Sequence, residues 1–297
     1  MFFDISPGDG TRVPLLLLNG IGAPLQLFQP FVNRLDPRIE VIRVDPPGIG
    51  RSPGARGPYR LSTLAKMLCK ALDDLGYDEV DVLGISWGGA LAQEFARVAG
   101  RRCRRVVVVS SGAGYPLSPV SPAGLSYWSE EASRLTRRRR RAGRRARVER
   151  LGRRRRSPAP RSLAARSTRG RRRVQRRRRK SVLGTMAGHM YGGQARRSPH
   201  AAGHVLAVQM LSARPIGWSC QMFAGLGWTS AWFLPLLRQR TLVLAGAEDP
   251  IVPAFYGRVV STLARHAELH VYPGGHVDLL VKPGILLPRI EEFLARR

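Results

Sequence analysis

Ser86 stands in the pentapeptide Gly84-Ile85-Ser86-Trp87-Gly88, with Gly89 and Ala90 directly after it. A serine hydroxyl is a weak nucleophile unless a base takes its proton, an acid orients that base, and N–H donors receive the charge developing on the substrate oxygen. A Gly-x-Ser-x-Gly turn between a strand and a helix suits that task, because it holds the serine in a strained conformation with its hydroxyl exposed. The flanking residues must be tiny, since strand and helix nearly touch there. The pentapeptide alone is also common in ordinary turns, which are rich in Gly and Ser. Its context decides. Val80-Asp81-Val82-Leu83 reads as a strand before it, and Leu91, Ala92 and Phe95 have helical spacing after it.

A base and an acid are available further along. Asp249 lies in Gly246-Ala247-Glu248-Asp249-Pro250, just after the apolar run Thr241–Ala245. His276 lies in Pro273-Gly274-Gly275-His276, just after Glu268–Tyr272. Singly, Asp249 reads equally well as a turn carboxylate before proline, with Glu248 as a neighbouring competitor, and His276 as a solvated loop histidine. In the order Ser, Asp, His, each on a loop after a strand, they support one another. His276 would take the proton of Ser86, and Asp249 would hold the imidazole in the correct tautomer. The oxyanion donors would be the backbone N–H groups of Trp87 and of Ile21, in the turn Asn19-Gly20-Ile21-Gly22. The other five histidines fit less well: His270 sits inside a strand, His266 at a helix end, and His189, His200 and His204 in the intervening region.

The elements that must position these residues alternate. Pro14–Leu18 and Glu40–Val44 read as strands, and Asp45–Ser52 as a Pro/Gly loop. A helix follows with Ser62 as N-cap, Leu64, Leu68, Leu72 and Leu75 on one face, and Gly76 as its stop. After the Ser86 strand and helix come a strand over Arg105–Ser110, then Thr241–Ala245, a helix over Ala254–Leu263, the strand Glu268–Tyr272 and a closing helix Ile285–Leu294. Strands that are apolar throughout and alternate with helices predict a parallel sheet covered on both faces. The expected organisation is a core from 1–115 and 235–297, split by a cap region, 116–234. The cap holds Trp218, Phe223, Trp228 and Trp232, the candidates for binding an apolar substrate.

Composition bounds the rest. No apolar run approaches the roughly 18 residues that span a bilayer, and the first residues carry no basic leader, so no secretory signal is expected. Three scattered cysteines suit reduced thiols better than a disulfide framework or a metal site. The net charge of +30 would suggest nucleic acid or an anionic surface, but it is concentrated. Between Arg134 and Lys180 lie 24 Arg, one Lys and one Glu, a net of +24, which leaves +6 elsewhere. That segment has no aromatic residue and few apolar ones, so it is expected to be disordered and dispensable, and single-strand stacking is disfavoured.

Several stretches together resemble the intracellular poly(3-hydroxyalkanoate) depolymerases that act on medium-chain-length polyesters. They are Leu17–Ala23, Asp45–Gly50, Gly84–Gln93, Tyr191-Gly192-Gly193, Arg196-Arg197 with Pro199, Leu242–Gly246 with Asp249-Pro250, and the more specific Phe223-Ala224-Gly225-Leu226-Gly227-Trp228-Thr229-Ser230. The resemblance covers about residues 13–115 and 185–297. It implies an α/β-hydrolase fold with an inserted helical cap, with Ser86, Asp249 and His276 in the triad positions. It also implies ester cleavage through an acyl-enzyme, without metal or organic cofactor, in the cytoplasm and in association with storage granules. Two departures stand out. The amino-terminal hairpin of the family is expected to be short or missing. The stretch from about Ser129 to Lys180 matches nothing in the family, and is either a GC-rich region read out of frame or a genuine basic insertion; its composition favours the former. The rival functions are a small-molecule carboxylesterase or lipase-like hydrolase on the same fold, and an inert basic protein that binds nucleic acid or granule surfaces.

Overall fold

The computed structural model describes residues 1–55, 57–118 and 182–296. Strands β1 (Phe2–Ser6), β2 (Leu15–Leu18), β3 (Val41–Asp45), β4 (Val80–Ile85), β5 (Cys103–Val109), β6 (Arg240–Gly246) and β7 (Ala267–Tyr272) form one sheet. Their spatial order is β1-β3-β2-β4-β5-β6-β7. All neighbours pair in parallel except β1, which runs antiparallel to β3. Every residue of β2, β3 and β4 is buried, as continuous apolar runs require when both faces are covered.

Alternation along each strand sends side chains to two cores. On one face Leu16, Leu18, Val82 and Val106 meet Leu64 and Leu68 of α2 (Leu61–Asp74) and Leu91 and Phe95 of α3 (Trp87–Ala99). On the other, Leu15, Leu17, Leu83 and Val107 meet Phe31 of α1 (Gln29–Val32) and residues near the carboxyl terminus such as Ile290 and Phe293. This second core also takes in Ala187 and Tyr191 of a helix over 182–191 (α4), and Ala195 of α5 (Gly193–Arg197). Ala202 and Leu206 of α6 (Pro199–Ser212) complete it. The described part of the cap thus packs as an extension of the sheet's own core; α7 (Pro215–Gly225) is its last helix. The remaining helices are α8 (Ala254–Leu263), α9 (Asp278–Val281) and α10 (Leu287–Ala295).

The amino terminus adds a strand that the sequence reading does not name: β1 pairs with β3 over five residues, from Phe2 with Asp45 to Ser6 with Val41, and Arg43 reaches back to Asp4. Two expectations change. Helix α2 begins at Leu61 with Arg60, not Ser62, in the N-cap position, because burial of Leu61 draws the first turn two residues earlier. Leu75, expected on the buried face, is 43% exposed, since the helix ends at Asp74 and Gly76 turns away at φ +78°. The segment 134–180, expected to be disordered, lies outside the described residues. Among the described residues no helix is long and apolar enough to cross a membrane.

The chain leaves β2 for β3 on one side and later enters β4 on the other. The crevice at the carboxyl ends of β2 and β4 is therefore the switch point where open α/β sheets bind ligands. Asn19 and Ser86 are the first residues beyond those two ends.

Candidate active site

Ser86 occupies the tip between β4 and α3 with φ +56° and ψ −121°, a left-sided conformation that a residue with a Cβ adopts only under constraint. The constraint is steric and comes from both neighbours. Gly84 and Gly88 pass so close that a Cβ on Gly84 would lie 2.1 Å from the Gly88 carbonyl oxygen, and one on Gly88 would lie 2.1 Å from that of Leu18. The Ser86 N–H is tied to the Val109 carbonyl at 2.9 Å, which fixes the tip to the end of β5. The hydroxyl of Ser86 is 3.0 Å from His276 Nε2.

His276 Nδ1 lies 2.8 Å from Asp249 Oδ2. A carboxylate can only accept, so Nδ1 carries the proton and Nε2 is left to accept from Ser86. Asp249 is itself held by N–H groups of Ile251 and Val252, both 2.9 Å from Oδ1. Both side chains are buried. The neighbouring competitor Glu248 turns the other way and pairs with Arg197 of α5 at 2.8 Å. The structure therefore brings Ser86, His276 and Asp249 into one hydrogen-bonded line, and separates Glu248 from it.

In the turn after β2 the N–H groups of Gly20, Gly22 and Ala23 are engaged. Asn19 Oδ1 takes the Gly20 N–H, Gln221 Oε1 takes that of Gly22, and the Gly20 carbonyl takes that of Ala23. Among the described residues, the N–H of Ile21 has no protein acceptor, and the N–H of Trp87 likewise has none. A free N–H on each side of Ser86 is the arrangement that developing negative charge on a carbonyl oxygen requires.

Three supports were not singled out from the sequence as site residues. The Tyr191 carbonyl accepts the His276 N–H at 2.7 Å, and its ring stacks on the imidazole at 6.3 Å between centroids and 14° between planes. Gly192 and Gly193 follow with φ +66° and +46°, where a Cβ would lie 2.0 Å from the Glu248 oxygen and 2.0 Å from the Gly275 nitrogen respectively. The Tyr-Gly-Gly tripeptide is thus wedged against both loops that carry Asp249 and His276. The third is Asp278, fully buried, whose carboxylate accepts N–H groups of Gln194 at 2.9 Å and Gly275 at 3.0 Å. The only local signal was an acidic residue opening a short helix two positions after His276.

Burial pushes the Asp278 carboxyl up to about 6. A carboxyl raised in this way binds its proton more tightly in the folded chain than in the unfolded one. Its contribution to stability therefore declines as pH rises from about 4 to about 6. Asp278→Asn removes the titration. The stability of the parent minus that of the variant, from urea unfolding, should fall between pH 4 and pH 7; a difference that is flat or rises with pH would contradict the assignment.

A narrow cavity of about 40 Å³ adjoins Ser86 and His276. Its walls are Leu27, Ile85, Ile251, Val277 and Leu280 from the core, with Tyr191, Val205 and Gln209 from the cap. None of the four candidate substrate-binding aromatics lines it. Trp218 packs behind the turn after β2 with Ile21, Ile49 and Ala213. Phe223, Trp228 and Trp232 border a separate surface depression with Arg60, Glu94 and Arg97. Trp228 donates its indole N–H to Glu94 at 3.1 Å, and Ser230 its hydroxyl to Gln93 at 2.7 Å. The Phe223–Ser230 stretch therefore clasps the helix that follows Ser86, which a run of aromatic residues could not reveal by composition.

Residues 13–283 match the family model described as alpha/beta hydrolase fold. The chain is 37% identical over 290 residues to the poly(3-hydroxyalkanoate) depolymerase of Ectopseudomonas oleovorans, an alignment covering 98% of this chain and 87% of that one. Among solved structures, an enol-lactonase from Burkholderia xenovorans LB400 superposes with a TM-score of 0.73 at 17% identity, covering 99% of this chain and 96% of that one. A hydrolase from Pseudomonas aeruginosa PA01 does so at 0.71 and 21% identity, covering 99% and 94%. These two likenesses speak to the fold; the sequence relative goes further. The chain belongs to the alpha/beta hydrolase fold family and, within it, to the family of the poly(3-hydroxyalkanoate) depolymerase that it matches along nearly its whole length.

Proposed function

We propose that Ser86, His276 and Asp249 form a catalytic triad that hydrolyses the ester links of a medium-chain poly(3-hydroxyalkanoate). The observation that carries the reading is the line from Asp249 through His276 to Ser86, at 2.8 and 3.0 Å, ending at an apolar cavity. Ser86 Oγ attacks the ester carbonyl as His276 Nε2 takes its proton, and Asp249 stabilises the imidazolium. The carbonyl oxygen, now negative, is received by the N–H groups of Ile21 and Trp87. Collapse of the tetrahedral intermediate expels the alcohol end of the polymer, which regains the proton from His276. Water, activated by the same imidazole, then releases the 3-hydroxyacyl group from Ser86.

The substrate class comes from the Ectopseudomonas relative and from the apolar walls of the cavity, contributed by both core and cap. The finer parts of the proposal are that the enzyme works in the cytoplasm at the surface of storage granules. The exposed side chains of Phe223, Leu226, Trp232 and Leu236 would give that surface an apolar face to meet. On this view Phe223 and Trp232 contact polymer outside the cavity, while Trp218 and Trp228 hold the cap in place.

Chain length tests the substrate. Each methylene buried contributes about 0.8 kcal/mol, so kcat/KM on soluble 4-nitrophenyl acyl esters should rise about fourfold per added methylene until the cavity is filled. Emulsified medium-chain polyester should likewise be degraded faster than short-chain polyester. Equal rates on both polymers, or turnover of soluble short esters only, would move the assignment to a carboxylesterase of small molecules.

A further inference from the structure

We propose that Gln209 and Gln221, on cap helices α6 and α7, are positioning residues that aim the oxyanion donor of Ile21, so that the cap is a working part of ester cleavage. The proposal rests on the ester-hydrolase reading of Ser86. Both glutamines grip one peptide unit. The Ile21 carbonyl accepts the Gln209 side-chain N–H at 2.5 Å, and the Gly22 N–H, at the other end of the same peptide bond, donates to Gln221 Oε1 at 2.7 Å. A peptide unit is planar, so holding its C=O and its N–H fixes its orientation. The peptide on the other side of Ile21 is held as well, because the Gly20 carbonyl accepts the Ala23 N–H at 3.1 Å. With both flanking planes fixed, the Ile21 N–H has one direction in which to point.

The grip extends to the other parts of the site. Tyr191, whose carbonyl holds the His276 N–H, donates its hydroxyl to Gln209 Oε1 at 2.9 Å. The backbone carbonyl of Gln221 accepts the Trp87 indole N–H at 2.9 Å. One run of hydrogen bonds therefore joins the histidine loop, the oxyanion turn and the residue beside Ser86, and it passes through the cap. Gln221 is 0% exposed, and among the described residues its amide nitrogen has no acceptor. Its amide oxygen is the engaged end, and it is engaged on the turn. Methionine at this position would remove an unsatisfied buried donor while orphaning the Gly22 N–H, so the net change in stability should be small.

The test uses Gln221→Met and Gln209→Met, both close in shape to the parent side chain. A donor aimed at the tetrahedral oxygen matters more in the transition state than in the ground state, so kcat should fall while KM holds. Loss of a whole donor reduces kcat about 10²- to 10³-fold, and loosening one should reduce it about 10- to 100-fold. Affinity for a trifluoromethyl ketone, which adds to the serine as a tetrahedral oxyanion, should fall by the same factor as kcat/KM. The double variant should lose little more than the worse single one, because both side chains hold the same peptide. Two results would overturn the proposal. One is kcat and ketone affinity at parental values in both variants. The other is a loss of rate that follows a lowered melting temperature or a raised KM with ketone affinity unchanged. Should Gln221→Met fail to fold, Gln209→Met, half-buried in the parent, decides by the same readouts. A parent that neither hydrolyses the ester nor binds the ketone would instead remove the ester-hydrolase reading itself.

Discussion

Ser86→Ala should lower kcat on any ester substrate by roughly 10⁴- to 10⁶-fold, the range expected when the nucleophile of an interdependent triad is removed. Among the described residues the side chain makes one hydrogen bond, the 3.0 Å approach to His276, so its loss should leave the far-UV circular dichroism and the melting temperature unchanged. The same change also removes a polar group from a strained position at φ +56°, and alanine relieves none of that strain. His276→Ala should cost a comparable factor. Asp249→Asn should cost about 10⁴-fold, because the amide nitrogen cannot accept from Nδ1 and favours the wrong tautomer. Combined, the three losses should not add. A Ser86→Ala protein that retains more than a trace of hydrolysis, after exclusion of contaminating esterase, would remove the serine from the mechanism.

The second large effect is on the fold. Gly84→Ala and Gly88→Ala each place a methyl group 2.1 Å from a backbone carbonyl oxygen, an approach that no rotamer change can relieve. The start of α3 would have to move away from β4 in the first variant and from the end of β2 in the second. Substitutions that force strain of this kind belong with the most damaging known, so each should reduce unfolding free energy by about 3 kcal/mol or more. Guanidinium unfolding measures it. Loss of less than about 1 kcal/mol would show that the strand and helix can move apart at small cost. The tight approach would then not be what holds Ser86 in place.

How much of this was legible in the sequence depended on how local the cause was. The strand, tip and helix around Ser86 are written in consecutive residues: apolar run, small-residue turn, helical spacing. Their reading and the structure coincide within a residue or two. The strands that carry Asp249 and His276 were equally plain, being short apolar runs between turns. The four-residue helix Gln29–Val32 was not foreseen, since one turn after a proline-broken stretch has no period to detect. The first strand was missed because its pairing with β3 is contributed by a partner some 40 residues away.

The supports of the site were hidden for the same reason in stronger form. Gln209, Gln221 and Asp278 meet their backbone partners across 188, 199 and 84 residues, and each stands in a segment whose own pattern is simply helical. The aromatic residues of the cap misled differently. Burial against a neighbouring helix and burial against a substrate demand the same side chains, so Trp218 and Trp228 read as candidates for either.

On the proposed mechanism Ser86 becomes covalently acylated. Reaction with a fluorophosphonate probe, followed by digestion and mass mapping of the modified peptide, tests this. One adduct per chain is expected on the peptide containing Ser86, formed rapidly in the parent and lost or greatly slowed in His276→Ala, with hydrolysis disappearing in step with labelling. An adduct on a different residue, or full hydrolysis of polyester by protein whose Ser86 is already labelled, would contradict it.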